Sequence, residues 1–246
     1  ENFKFFKCKL ENKLALEKIY KKFKPNIIIH LGAQAGVRYS LENPKSYIDS
    51  NIYGSFNVLE LSNKYTPDHL LMASTSSIYG ANKKYPFSEN DKTDHPLSLY
   101  AASKKSMELL AHSYSYSFGI PITIFRFFTV YGPWGRPDMA FFKFLDLHFR
   151  GEKIEIFNKG QMDRDFTFID DLIDSIIKLK NVIPIDKCTH DSKSDVANFR
   201  IVNIGNSKKI NLMDAIIQFE EILGEKFNKK FLGMQLGDVV STEADN

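Results

Sequence analysis

Tyr100 and Lys104 stand four residues apart in the run Leu99-Tyr100-Ala101-Ala102-Ser103-Lys104. The surrounding pattern reads as helix, where a spacing of four puts two side chains on one face, a turn apart. A lysine ammonium beside a phenol stabilises the phenolate and draws the tyrosine below its ordinary pKa of about 10. A phenol tuned in this way can take a proton from an alcohol. Thr75 lies 25 residues upstream, just after an apolar run, and its hydroxyl can hydrogen-bond the same alcohol oxygen. Removing that proton achieves little unless a hydride leaves the same carbon, and a nicotinamide cofactor is the natural acceptor. The tyrosine-lysine spacing alone is common in helices, so the elements around it must decide its meaning.

Those elements alternate. Ile27 to Leu31 and Leu70 to Ala73 are short apolar runs suited to strands buried on both faces, and Pro121 to Phe127 reads as a further strand. Leu16, Ile19, Tyr20 and Phe23 follow a helical period that Pro25 stops. Pro44 to Lys64 and Ser98 to Phe118 read as helices, and Asn2 to Leu10 as a short strand. Strand and helix in alternation indicate an α/β fold with a parallel sheet covered by helices. Ligands of such sheets bind beyond the carboxyl ends of the strands. The small-residue loop after Leu31, the Ser/Thr run from Ser74 to Ser77 and the loop after Phe127 all fall at those ends.

The second half is less regular. Met139 to Arg150 and Asn211 to Leu223 read as helices. Lys153 to Phe157 and Phe199 to Gly205 read as strands. Phe166 to Ile169 leads into a helix ending at Lys180, with Asp170 and Asp171 as its expected N-terminal caps. Residues 186–198 read as a solvent loop. The expected division is residues 1–130 and 131–246, with 167–180 and 199–206 returning to the first sheet.

Bulk properties narrow the function. The chain has 246 residues, 43% of them hydrophobic and 26% charged, enough for one large domain or two interleaved ones. A net charge of +3, scattered along the chain, gives no reason to expect a nucleic-acid partner. No apolar run approaches the roughly 18 residues of a membrane span. Cys8 and Cys188 are far apart, which suits free thiols in a reducing cytoplasm. His30 reads as a structural core residue, and no metal is expected at His112, His148 or His190.

Five strings carry a resemblance: HLGAQAGVRYSLENP (residues 30–44), ASTSSIYG (73–80), HPLSLYAASKK (95–105), RFFTVYGPWGRPDM (126–139) and DRDFTFIDD (163–171). They resemble the extended short-chain dehydrogenase/reductase family, and within it the bacterial UDP-glucuronate 4-epimerases. The resemblance implies a Rossmann-like doubly wound parallel sheet, truncated at its N-terminus, with a smaller α/β substrate lobe. It implies Tyr100 as catalytic base, Lys104 as its tuner and a ligand of the nicotinamide ribose, and Thr75 as the hydroxyl partner. Leu31, Gly32, Ala33, Gln34, Asn51 and the backbone at Phe128 would run beside NAD. Ser76 and Ser77 would join Thr75 at a UDP-sugar substrate. Thr129 and Arg136 would face the sugar, and Arg164 and Asp238 would hold the nucleotide. Arg136 with Thr129 is expected to clamp the sugar carboxylate, since a guanidinium fork matches a carboxylate with two parallel bonds. A homodimer joined by the helices near 44–64 and 98–118 is also implied.

Two departures stand out. The family's glycine-rich G-x-x-G-x-x-G turn is absent from the sequence, which is expected to be that of a fragment binding NAD poorly or not at all. Lys9 stands where relatives carry Asp near the adenine. Alternatives are another nucleotide-sugar epimerase, decarboxylase or dehydratase, or a non-catalytic nucleotide-sugar-binding protein. Ser76 and Ser77 after Thr75, in place of an acidic pair, argue against the dehydratase.

Overall fold

The computed structural model describes residues 2–185 and 192–245. The helices are α1 (Lys13–Phe23), α2 (Tyr39–Glu42), α3 (Pro44–Tyr47), α4 (Ser55–Tyr65), α5 (Leu99–Phe118), α6 (Ala140–Phe149), α7 (Ile169–Leu179) and α8 (Leu212–Leu223). The strands are β1 (Ile27–His30), β2 (His69–Thr75), β3 (Ile122–Phe127), β4 (Thr129–Tyr131), β5 (Ile154–Ile156), β6 (Asp163–Phe168), β7 (Phe199–Ile204), β8 (Lys209–Asn211) and β9 (Lys229–Phe231). They gather into two units. One comprises Glu1–Asn82, Lys92–Arg126 and Ile177–Val202; the other comprises Lys83–Asp91, Phe127–Ile176 and Asn203–Asn246. The partition falls after Arg126 rather than after residue 130, and it cuts α7 at Ile176.

The first unit is built on a four-stranded sheet in the order β1-β2-β3-β7. β1 and β2 run parallel, with Ile27 opposite His69 and His30 opposite Met72. Every residue of β2 is buried, as an inner strand between covering helices requires. α5 starts where the Ser98 hydroxyl accepts a hydrogen bond from the Ala101 N–H (3.1 Å) and stops at Gly119, whose φ of +71° suits glycine. Met107 and Ala111 of α5 pack with Leu70 and Met72 of β2 and Ile122 and Ile124 of β3 in the apolar core.

Three expectations need correction here. Residues 2–10 form no strand. Phe3 and Phe5 are exposed and nothing in the described sheet takes up this segment's backbone groups. The helix expected over 44–64 is α3, then a π-helical stretch from Ile48 to Gly54, then α4. Such wide turns are rare and recur at functional sites; this one carries Asn51. At its end, a Cβ on Gly54 would lie 2.7 Å from the Leu10 side chain, so the close approach requires glycine. The Ser74 to Ser77 run is not one loop: Ser74 and Thr75 finish β2, and residues 76–79 form a 3₁₀ turn.

The second unit holds a three-stranded sheet, β4-β6-β8, and a parallel pair, β5-β9. β4 runs parallel to β6 and β8 antiparallel to it. Phe144, Ile154, Ile156, Ile216 and Phe227 form its core. The buried Asp165 carboxylate accepts the Asn206 N–H (2.7 Å) and the Ala244 N–H (3.0 Å), fastening the last described residues to β6. Asp170 and Asp171 lie inside the first turn of α7 rather than at its cap, where their charge favours the helix dipole. In the expected loop, residues 186–191, with Cys188 and His190, lie outside the described residues. Lys193 of the same stretch forms a β-bridge with Arg200.

Candidate active site

The N-terminal half of α5 sets the geometry. Tyr100 and Lys104 lie one turn apart on the face that continues through Met107, Glu108 and Ala111. Tyr100 is half-buried. Its ring meets Tyr47 edge-on, with centroids 6.1 Å apart and planes at 73°. The Tyr47 hydroxyl in turn reaches the Ala35 and Gly36 carbonyls (3.0 and 2.6 Å), which ties α3 to the loop after β1. Neither Tyr47 nor those carbonyls follows from a motif, but the phenol's orientation depends on them.

Lys104 is 3% exposed, and its Nζ lies 3.8 Å from the Met107 thioether sulfur. Burial pulls its pKa down from 10.5 to about 8, while the Glu108 carboxylate opposes the fall. The ammonium therefore survives at neutral pH in a dry site. Its charge also reaches His30 at the end of β1. Burial first, and Lys104 second, drive His30 down to about 3. His30 is thus a neutral ring whose Nε2 bonds the Ser55 hydroxyl (3.0 Å), a structural role.

α5 packs on β2 and on the 3₁₀ turn that follows it. Thr75 sits at that junction, 7% exposed, with its Oγ1 accepting the Ser77 N–H and donating to the Ser77 hydroxyl (3.2 Å each). Ser76 and Ser77 are half-buried. The neighbouring Ser74 Oγ is buried without a hydrogen-bond partner.

Leu31, Gly32 and Ala33 are exposed after β1, and Gln34 is half-buried. Asn51 is fully buried. Its Oδ1 accepts the Gln34 N–H (2.7 Å), and its Nδ2 donates to the Gln34 carbonyl (3.0 Å) and to Ser103 Oγ (2.9 Å). Both amide protons are committed, so Asn51 acts on the loop rather than as a direct donor to a ligand. Lys9 is exposed.

In the second unit, the Phe128 N–H donates to the Ile204 carbonyl (3.3 Å), and half-buried Thr129 opens β4. The Arg136 fork does not stand open: Nε and Nη2 bond both oxygens of Asp138 (2.9 and 3.0 Å). Trp134, two residues before Arg136, is fully exposed at a φ of +63°. Arg164 donates through Nη1 to the Asp163 carbonyl (2.8 Å) and the Val240 carbonyl (3.2 Å). The strand-like pairing of Asp163 with Val240 and Thr242 brings Asp238 to within two residues of that contact. Among the described residues, no group of three or more His, Cys, Asp or Glu is arranged to hold a metal.

Residues 1–183 match the model of the NAD dependent epimerase/dehydratase family. The chain is 52% identical to a probable UDP-glucuronate 4-epimerase of Rhizobium meliloti, over 98% of this chain and 73% of the relative. It is 48% identical to Protein CapI of Staphylococcus aureus, over 100% of this chain and 75% of that protein. Among solved structures it is similar to UDP-glucuronic acid 4-epimerase from Bacillus cereus in complex with UDP-glucuronic acid and NAD. That likeness has a TM-score of 0.85 and 34% identity, and covers 99% of this chain and 73% of the other. With a family model matched over residues 1–183 and relatives of about half identity over nearly its whole length, the chain belongs to the NAD dependent epimerase/dehydratase family.

Proposed function

We propose that this chain carries the NAD-dependent inversion of carbon 4 of a UDP-uronic acid, UDP-glucuronate to UDP-galacturonate. The observation that supports it most is the buried Lys104 ammonium one helical turn from Tyr100. The residues fit a nicotinamide riboside: Lys104 Nζ has a weak sulfur acceptor that ribose hydroxyls would outbid, and the Ser74 Oγ is an unsatisfied buried group beside Thr75. Lys104 would hold the ribose, the Leu31 to Gln34 loop kept in place by Asn51 would flank the cofactor, and the backbone at Phe128 would touch it. NAD, when bound, supplies the hydride acceptor and donor at carbon 4.

The chain's own residues handle the proton. Tyr100, as phenolate, takes the proton of the 4-hydroxyl, and Thr75 hydrogen-bonds the same oxygen, with Ser76 and Ser77 at the sugar. Lys104 stabilises the phenolate. Tyr100 then returns the proton once the 4-ketone has presented its other face, so the reaction is redox-neutral. The transient ketone is a β-keto acid and loses carbon dioxide readily, so its carboxylate must be held. Thr129 and Arg136 take that role, Arg136 exchanging Asp138 for the sugar's carboxylate. Arg164 and Asp238 hold the nucleotide.

A homodimer through residues 44–64 and 98–118 fits this reading. Ile48, Tyr53, Leu109, Tyr116 and Phe118 leave apolar surface exposed on those helices. The exposed free Cys8 suits a reducing cytoplasm. No helix among the described residues is long and apolar enough to cross a membrane.

The test is to incubate the protein with NAD and UDP-glucuronate and identify the sugar. UDP-galacturonate is the expected product. UDP-pentose alone, or turnover of UDP-glucose in preference to UDP-glucuronate, would overturn the reading.

A further inference from the structure

Within the second unit, the segment 240–245 changes neighbours along its length. At its start it pairs with β6: the Asp163 N–H donates to the Val240 carbonyl (2.9 Å) and the Thr242 N–H to the Asp163 carbonyl (3.2 Å). At its end it pairs with Phe87, whose N–H donates to the Glu243 carbonyl (2.8 Å) and whose carbonyl accepts the Asp245 N–H (3.0 Å). Side chains splice the chain to β6 where the backbone ladder stops. Asp165 Oδ2 accepts the Ala244 N–H (3.0 Å), Asp165 Oδ1 accepts the Asn206 N–H (2.7 Å), and the Asp165 N–H donates to Thr242 Oγ1 (3.3 Å).

Asp165 is wholly buried and Thr242 is 5% exposed. Glu220, the other buried carboxylate among the described residues of this unit, meets the cations of Lys226 and Lys229. Asp165 instead meets backbone N–H groups, so its loss would leave two buried donors unpaired. What this seat does for function follows from its neighbours. Arg164 lies between Asp163 and Asp165 on β6, so its side chain leaves from the other face of the strand. Its Nη1 donates to the Asp163 carbonyl (2.8 Å) and to the Val240 carbonyl (3.2 Å), the same oxygen that accepts the Asp163 N–H. Asp238 lies two residues before Val240, in a turn where its N–H donates to the Gln235 carbonyl (3.3 Å). The position of Val240 therefore bears on both Arg164 and Asp238.

We propose that Asp165 is a positioning residue for nucleotide binding: by fastening the 240–245 segment to β6 it fixes Val240, and through it the placement of Arg164 and Asp238 for a nucleoside diphosphate. The inference rests on the reading that Arg164 and Asp238 hold the nucleotide, and it does not depend on the identity of the sugar.

The test titrates the protein with UDP alone, by calorimetry. Asp165→Asn keeps the shape but turns an amide NH2 toward one of the two N–H groups. It should weaken UDP binding about tenfold, raise KM for UDP-glucuronate to match and leave kcat within about two-fold. Amide exchange at Ala244 and Asn206 should quicken in the same variant. Thr242→Val loosens the splice from the segment's side, should Asp165→Asn fail to fold, and should weaken UDP about three-fold or more. Thr242→Ser keeps the hydroxyl and should bind UDP within about two-fold of the parent. Parent-like UDP affinity in either folded variant, Asp165→Asn or Thr242→Val, overturns the proposal even if the melting temperature falls, since the splice would then stabilise the unit without acting on the ligand. Arg164→Ala and Asp238→Ala, titrated alongside, separate the two claims. Weakened binding in these with unchanged binding in Asp165→Asn refutes the role of Asp165 and leaves the nucleotide reading standing. Parent-like binding in both, or no UDP binding by the parent, refutes the nucleotide reading and this proposal with it.

Discussion

Asn51 and Gln34 exchange two hydrogen bonds, Gln34 N–H to Asn51 Oδ1 at 2.7 Å and Asn51 Nδ2 to the Gln34 carbonyl at 3.0 Å, and Asn51 passes a third to Ser103 on α5. One amide therefore fixes the loop after β1 against the helix that carries Tyr100 and Lys104. Asn51→Ala leaves these groups unpaired. It should destabilise the protein by roughly 2–4 kcal/mol in chemical denaturation. NAD affinity measured by calorimetry should weaken about tenfold or more. Unchanged affinity would mean that the loop holds its shape without the amide.

Lys104 works against the fold. Its folded-state pKa is about 8 against an ordinary 10.5. Between those values the unfolded chain binds a proton that the folded chain has released, so stability rises as pH climbs from about 8 to 10.5. Below pH 8 the full cost of the buried charge remains, on the order of 3 kcal/mol. Lys104→Met should therefore raise stability at pH 7 by about 1–3 kcal/mol while turnover falls at least about a hundredfold. A variant both less stable and inactive would contradict the assignment of strain to the charge.

His30 gives a slope of the same sign in an acid window. Its folded-state pKa is about 3 against an ordinary 6.5, so the unfolded chain takes up a proton that the folded one refuses as pH falls through that window. Stability present above pH 6.5 should be lost progressively below it, by about 3 kcal/mol at pH 4.5 from this group alone. His30→Gln keeps a partner for Ser55 and removes the charge. Denaturation midpoints at pH 7 and 4.5 should show a smaller acid loss in the variant than in the parent.

The Arg136–Asp138 pair is solvent-exposed, with side chains 46% and 62% accessible, so opening it is cheap. Asp138→Asn should lower KM for UDP-glucuronate about two- to five-fold, with kcat nearly unchanged. Arg136→Ala should release UDP-pentose, because the keto acid is no longer held. Slow but clean epimerisation by that variant would show that Arg136 does not hold the carboxylate.

Much of this was visible before the coordinates. The apolar runs at Ile27 and Leu70 became β1 and β2, but only β2 is buried on both faces; β1 stands at the edge of the described sheet and leaves Ile27 and Ile29 exposed, against the expectation, while the period around Tyr100 became α5 with Ser98 and Gly119 at its ends. The N-terminal Phe/Lys alternation misled, since a strand needs a neighbour to accept its backbone groups. The π-helical stretch carrying Asn51 was not legible, because over the short run from Ile48 to Gly54 a shift of one residue in the apolar period is too brief to read. Glu108, buried farther along α5 and paired with Arg126 of β3, was within reach: continuing the tyrosine-lysine spacing by one more turn finds it. Its partner Arg126 was not, because β3 joins α5 only through the fold. The closure of Arg136 on Asp138 is a choice between carboxylates that residue types alone do not make.

The central claim, redox-neutral inversion at one carbon, is tested most directly with UDP-glucuronate deuterated at carbon 4. Incubated with the protein and NAD, it should yield UDP-galacturonate that keeps the deuterium at carbon 4 when the sugar is read by NMR. Recovered UDP-glucuronate alone, or product carrying solvent hydrogen at that carbon, would contradict the account.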